Sequence, residues 1–202
     1  MNTPITRAER RRAETRERIT KAALDLVVDE GAAKLRLSDV AERADVAFGS
    51  LYTYFENKEA IVDGVVAEAL SDLIAATRPD ADMYEDPAEE VAAAARRVVR
   101  IAWEEREVAL ALMSLERAQE RFVSILAPRS QELLERGVAA GRFTLTDPRA
   151  ITAYLLAGGF ELIRGVLDGR FGDDADVICA DTSLRTCGIP PDEARAIANR
   201  PL

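Results

Sequence analysis

The run Val46-Ala47-Phe48-Gly49-Ser50-Leu51-Tyr52-Thr53-Tyr54-Phe55 holds the residues whose types and spacing most invite chemistry. Wound as a helix, it turns Val46, Leu51 and Phe55 inward. Ala47, Phe48, Gly49, Ser50, Thr53 and Tyr54 are left outward, with Tyr52 at the edge. Hydroxyl groups, aromatic rings and a glycine on one exposed face suit hydrogen bonds to phosphate and a close approach to base edges. An ordinary helical hairpin would place the same residues on its surface, and the run alone leaves both readings open.

Other chemistries lack their residues. Histidine is absent, which removes the commonest general base, the Ser/His and Cys/His nucleophile pairs and the commonest zinc ligand. The two cysteines, Cys179 and Cys187, form neither a disulfide framework nor a paired-thiol metal motif, and read as small apolar packing residues in a reducing compartment. Adjacent carboxylates such as Glu89/Glu90 and Glu104/Glu105 diverge on a helix and read as solvated surface. The sequence predicts no enzyme, no metal and no cofactor.

The formal charge of −9 is unevenly spread. Residues 1–60 hold eleven Lys/Arg and eleven Asp/Glu, so the whole net charge resides in residues 61–202. Residues 1–21 carry Arg7, Arg10, Arg11, Arg12, Arg16, Arg18 and Lys21 against Glu9, Glu14 and Glu17, a net of +4. Because the Debye length is about 8 Å at physiological salt, remote acidic surface hardly disturbs such a basic arm.

The elements that must position the 46–55 run are all helical in period, and no alternating segment reads as a strand. The spacing predicts helix 1 over about Arg10–Glu30, ended by Gly31, helix 2 over about Ser38–Ala44, and a tight turn at Asp45-Val46-Ala47 into helix 3, Phe48–Phe55. Asn57 caps helix 4, which extends from Lys58 to about Ala76 along the stripe Ile61, Val62, Val65, Val66, Ala69, Leu70, Leu73 and Ile74. A polar, Pro-bounded linker from Arg78 to Pro87 leads into helix 5, which ends near Glu105 with Val91, Ala94, Ala95, Val98, Ile101 and Ala102 inward. Helix 6 (Val108–Ser114), helix 7 (Glu116–Gly141, with a break at Pro128), helix 8 (Pro148–Gly169), helix 9 (Asp173–Cys187) and a short turn over Pro191–Asn199 complete the chain. Helix 8 is apolar on two faces, Ile151/Leu155/Leu162/Val166 and Leu156/Phe160/Ile163/Leu167, so it calls for two neighbours. The longest apolar stretch, Ile151–Phe160, stops at Glu161, short of the roughly 20 residues of a membrane span. The expectation is a soluble, unexported, cytoplasmic protein with no membrane partner.

Across residues 10–64 the sequence resembles the TetR family of transcriptional repressors. The resemblance rests on Ile19-x-x-Ala22-Ala23-x-x-Leu26, Gly31, Asp39-Val40-Ala41, Ala44, Val46 and Gly49-Ser50-Leu51-Tyr52-x-Tyr54-Phe55-x-x-Lys58-Glu59. It implies an all-α fold: an N-terminal three-helix helix-turn-helix DNA-binding domain (1–58) and a C-terminal helical bundle for ligand binding and dimerisation (59–202). It implies a regulator, in most of the family a repressor, that binds a palindromic DNA operator as a homodimer joined through helices 8 and 9. A small, largely apolar inducer releases it.

By the same resemblance, Tyr54 and Lys58 contact phosphates, Tyr52 contacts phosphate or a base edge, and Ala47, Phe48, Gly49, Ser50 and Thr53 face bases. Four positions depart from the family pattern: Ala47 stands where a capping Ser is usual, Phe48 where a Lys or polar residue is frequent, Asp45 where Gly is common, and Arg36 where Thr is common. A helical ligand-binding dimer that has lost operator binding is the alternative these departures allow. The family architecture sets helix 5 beside the ligand cavity, with helices 4, 7 and 8 around it, and on that basis Trp103, Met113, Phe122, Tyr154 and Glu161 are candidate ligand contacts. An aromatic residue at helical spacing is more often plain core.

Overall fold

The computed structural model describes residues 6–70 and 84–202. Among these residues every regular element is a helix, as the spacing predicts: α1 (Arg7–Glu30), a 3-10 turn (Ala32–Lys34), α2 (Leu37–Arg43), α3 (Phe48–Tyr54), α4 (Lys58–Ala69), α5 (Pro87–Glu104), α6 (Arg106–Met113), α7 (Ala118–Ala139), α8 (Pro148–Leu167), α9 (Ala175–Thr186) and α10 (Pro191–Ala198). The expected extension of helix 4 through Leu73 and Ile74 to Ala76, and the linker from Arg78 as far as residue 83, lie outside the described residues.

Side-chain caps set the starts of α1, α4, α5 and α8. α1 begins three residues before the expected Arg10, because Thr6 and Glu9 form a capping box. It ends where Gly31, at φ 89°, donates its N–H to Val27 O at 2.9 Å. Asn57 caps α4 through Ala60 N (2.8 Å), and Asp147 caps α8 through Arg149 N and Ala150 N. α7 starts at Ala118 rather than Glu116 because Arg117 takes a left-handed conformation, φ 55°. It then passes unbroken through Pro128, contrary to the expected interruption.

α1, α2 and α3 pack around Ile19, Ala23, Val27, Val40, Leu51 and Phe55, all buried. α4 lies against this group so closely that a Cβ on Gly64 would stand 2.5 Å from Thr20 Cγ2 and 3.2 Å from Phe55 Cε1. The apolar core continues without a break from these helices through α5, α6, α7 and α8 to α9. A second cluster, under Leu133, Phe143, Leu184 and Ile197, closes the far end. There Arg142 holds both oxygens of Asp86 at 2.8 Å and Glu193 at 2.7 Å, joining the start of α5 to α10. These bonds hold the Asp86 carboxyl below the ordinary carboxylate range.

α8 is long and apolar enough to cross a bilayer by length and composition. In the bundle it packs against α5 and α7, burying Leu156, Phe160, Ile163 and Leu167, which is the behaviour of a core helix.

Candidate nucleic-acid interface and ligand cavity

Leu51 and Phe55 anchor α3 in the core, and the residues between them face solvent. Ala47, Gly49 and Thr53 are exposed, Ser50 is half-buried, and Phe48 and Tyr52 are 51% and 54% exposed. The Phe48 and Tyr52 rings meet edge to face, one turn apart, with centroids at 6.0 Å. A Cβ on Gly49 would meet nothing within 4 Å. The face is therefore convex, open and free of charge. Asp45 takes a left-handed conformation, φ 52°, which a short polar side chain tolerates. Ala47 caps α3 with no side-chain hydrogen bond, so the helix's first amides have no acceptor from that residue.

The flanks supply the charge. Lys58, exposed in the first turn of α4, donates one hydrogen bond to Leu35 O at 3.2 Å and keeps two further N–H donors. Tyr54 is half-buried, with the Arg12 guanidinium 5.5 Å from its ring centre. Two residues of the basic arm have a task not evident in the sequence. Arg12 donates to Thr53 O and Arg16 to Tyr54 O, both at 2.7 Å, and Arg16 also lies 4.2 Å from the Phe55 ring centre. They satisfy the last carbonyls of α3 and oppose its negative C-terminal dipole. No local spacing could reveal this, since the partners are 41 and 38 residues apart.

A cavity of about 130 Å3 opens between α5, α7, α8 and α9. Val91, Ala94, Ala95 and Val98 line it from α5, at i, i+3, i+4 and i+7, and Ile125, Leu126, Leu133 and Leu134 from α7. Thr152, Leu155, Leu156 and Gly159 come from α8, and Cys179 and Ser183 from α9. Burial pushes the Cys179 thiol up to about 12, and a hydrogen bond with Ser183 opposes this only in part. Burial likewise raises Cys187, so both remain neutral thiols.

None of the five residues expected at a ligand site is among these walls. Trp103 lies beyond the cavity on α5, in an open groove formed with Leu24, Val28 and Arg43. Met113 borders a separate surface groove with Val123 and Ala157, and Phe122 packs in the core against Phe160, centroids 5.4 Å apart. Tyr154 and Glu161 stand on the opposite side of α8 from Leu156, where Tyr154 is exposed and Glu161 pairs with Arg164 and Arg170. Aromatic and charged residues drew the expectation; the cavity instead forms where α5 carries two alanines. Nor does α4 supply a wall among the described residues. Besides packing in the shared core, α4 is tied toward the cavity by Arg121 of α7, which pairs with Asp63 and donates to Glu59 O at 3.3 Å. Arg121 lies one turn before the cavity residue Ile125.

Comparison with known proteins follows this division. Residues 19–65 match the model of the bacterial regulatory proteins of the tetR family, and residues 86–200 match the tetracyclin repressor-like C-terminal domain. The crystal structure of RolR in complex with the ligand resorcinol superposes with a TM-score of 0.79 at 30% identity, covering 96% of this chain and 97% of that one. RolR without ligand gives 0.78 at 29% identity, covering 92% and 97%. An uncharacterized HTH-type transcriptional regulator, YvdT of Bacillus subtilis (strain 168), is 31% identical over 55 residues, which are 27% of this chain and 28% of that protein.

Proposed function

The chain belongs to the TetR family of transcriptional regulators, and from that premise we propose that it is a cytoplasmic repressor released from DNA by a small molecule. Two copies bind a palindromic operator. The observation that carries this is the outer face of α3, anchored by Leu51 and Phe55, with Phe48, Gly49, Tyr52 and Thr53 open to solvent. Residues 1–58 form the DNA-reading unit, in which Tyr54 and Lys58 hold phosphates and Tyr52 holds a phosphate or a base edge. Ala47, Phe48, Gly49, Ser50 and Thr53 meet the bases. Residues 59–202 form the sensing and dimerisation unit. Neither part performs catalysis.

The dimer joins through α8 and α9. The exposed Tyr154 and Ile178 support this, as does Gly158, where an added Cβ would meet nothing within 4 Å and a partner helix has room. The effector occupies the cavity between α5, α7, α8 and α9. RolR, related over almost the whole chain, was crystallised with resorcinol, a single-ring compound, and a space of about 130 Å3 suits a ligand of that size. The effector prefers a state in which the two α3 helices no longer match successive major grooves, about 34–36 Å apart.

Selection of bound sequences from random duplex DNA tests this reading. The expected product is a near-palindrome whose affinity falls when effector is added. Lys58→Ala should weaken binding to all sequences alike and reduce the magnitude of the log–log salt slope by about one. Recovery of no preferred sequence would favour instead a helical dimer that only sequesters its ligand.

A further inference from the structure

The polar groups around the cavity are few and differ in how they are engaged; Ser130 of α7, half-buried, is one of them. Ser183 is hydrogen-bonded with the Cys179 thiol. Arg129, 41% exposed at the rim, lies 3.8 Å from the Glu90 carboxylate, which also binds Arg136 at 2.6 Å. Thr152 is different: it is 2% exposed, it lines the cavity from α8, and its hydroxyl has no hydrogen-bond partner. Among the described residues it shares that condition only with Asp181 Oδ1. A buried hydroxyl left unpaired is unfavourable, so a ligand group that pairs with it gains affinity. Water is a poor partner, because a buried water needs two to four polar neighbours and here the walls are mostly aliphatic.

Size narrows the choice. An engineered apolar cavity of about 150 Å3 accepts benzene, and this one measures about 130 Å3. That is room for one ring. Charge narrows it further. The deep walls are Val91, Val98, Leu126, Leu133 and Leu156, among which an anion would lose its hydration without a counter-charge. The rim arginine already faces Glu90.

We propose that the cavity selects an uncharged, single-ring compound bearing a hydroxyl group, and that Thr152 determines this specificity by pairing with that hydroxyl. The inference rests on the cavity being the effector site.

Calorimetric titration of the full-length protein with phenol, toluene and benzoate tests it. The native protein should bind phenol about two- to tenfold more tightly than toluene, the net effect of one hydrogen bond, and benzoate most weakly. Thr152→Val, close in shape, should retain toluene binding and lose the preference for phenol, whereas Thr152→Ser should keep the preference. A Thr152→Val protein that still prefers phenol would overturn the role of Thr152. Tighter binding of benzoate than of phenol, or no binding of any of the three, would overturn the ligand class. The titration contains no DNA, so it separates the two proposals. Binding as expected with no effect on the operator complex refutes the repressor reading alone, while operator release by some other compound, with phenol unbound, refutes the ligand class alone.

Discussion

The outer face of α3 and the α5/α7/α8/α9 cavity are both built from small, apolar and hydroxyl side chains, with little charge of their own. They differ in how the chain makes them. The α3 face is convex, and one short helix, Phe48–Tyr54, with Ala47 before it supplies it. The cavity is concave, and its walls come from four helices between Glu90 and Ser183. On the convex face a side chain is free to serve recognition alone, because Leu51 and Phe55 behind it hold the helix. In the cavity the same side chains hold up the core and would face the proposed effector, so there recognition and stability become one property. Substitution should therefore separate the two functions on α3 and merge them in the cavity.

The largest expected effect comes from a wall residue. Leu126 is buried and belongs to the main core as well as to the cavity. Leu126→Ala should cost about 2–5 kcal/mol of unfolding free energy by enlarging an existing void. Thr53→Ala, on the exposed face, should change stability by no more than about 0.5 kcal/mol while altering operator preference. Chemical denaturation measures both. Equal losses from the two substitutions would break the comparison.

The same difference explains what was legible in the sequence. The α3 face depends on periodicity within one short helix and on a motif of fixed offsets, so Phe48 and Thr53 are exposed and Leu51 and Phe55 buried where the spacing places them, whereas Tyr52, expected at the edge, is well exposed and Tyr54, expected outward, is half-buried under Arg12. Helix types and the starts of α1, α4, α5 and α8 are also local, because caps such as Asn57 and Asp147 act within three residues. The cavity depends on which faces of α5, α7, α8 and α9 meet, and on what those faces lack. Ala94 and Ala95 make room through small size, a weak signal beside the conspicuous Trp103 and Tyr154. Thr152 carries its information in a missing partner, which only the assembled bundle reveals. The roles of Arg12 and Arg16 on the α3 carbonyls were hidden for the same reason of distance along the chain.

Arg121 is where the two regions should communicate, and breaking it sharpens the comparison further. Its guanidinium gathers Glu116 O at 3.0 Å, Glu59 O at 3.3 Å and the Asp63 carboxylate, tying the start of α7 to the first turns of α4. Gly64, on the same part of α4, is pressed against Thr20 and Phe55, so α4 should move together with α1 and α3. Arg121→Gln should leave effector affinity and effector-free operator affinity nearly unchanged. The factor by which effector weakens operator binding should fall about 2- to 30-fold, equivalent to roughly 0.5–2 kcal/mol of coupling. Operator titrations with and without saturating effector measure that factor, and an unaltered one would remove Arg121 from the route.

The smallest effect is expected at Trp103, the only tryptophan of the chain. It is five residues beyond the last cavity residue of α5, Val98, hence about 7.5 Å farther along the helix. Its 36% exposed ring borders the groove shared with Leu24, Asp25, Val28 and Arg43, so it stands between the DNA-reading helices and the bundle. Such a residue should respond to the spacing of the two regions and not to the occupant of the cavity. Trp103→Phe should leave operator and effector affinities within about twofold, as substitutions at partly exposed sites outside special contacts usually do. Effector added to the native protein should change Trp103 emission by altering the groove. The Arg121→Gln protein should bind the same effector with a smaller emission change. An equal change in both proteins would mean that Trp103 responds to the ligand itself, and that the cavity and the groove are one site.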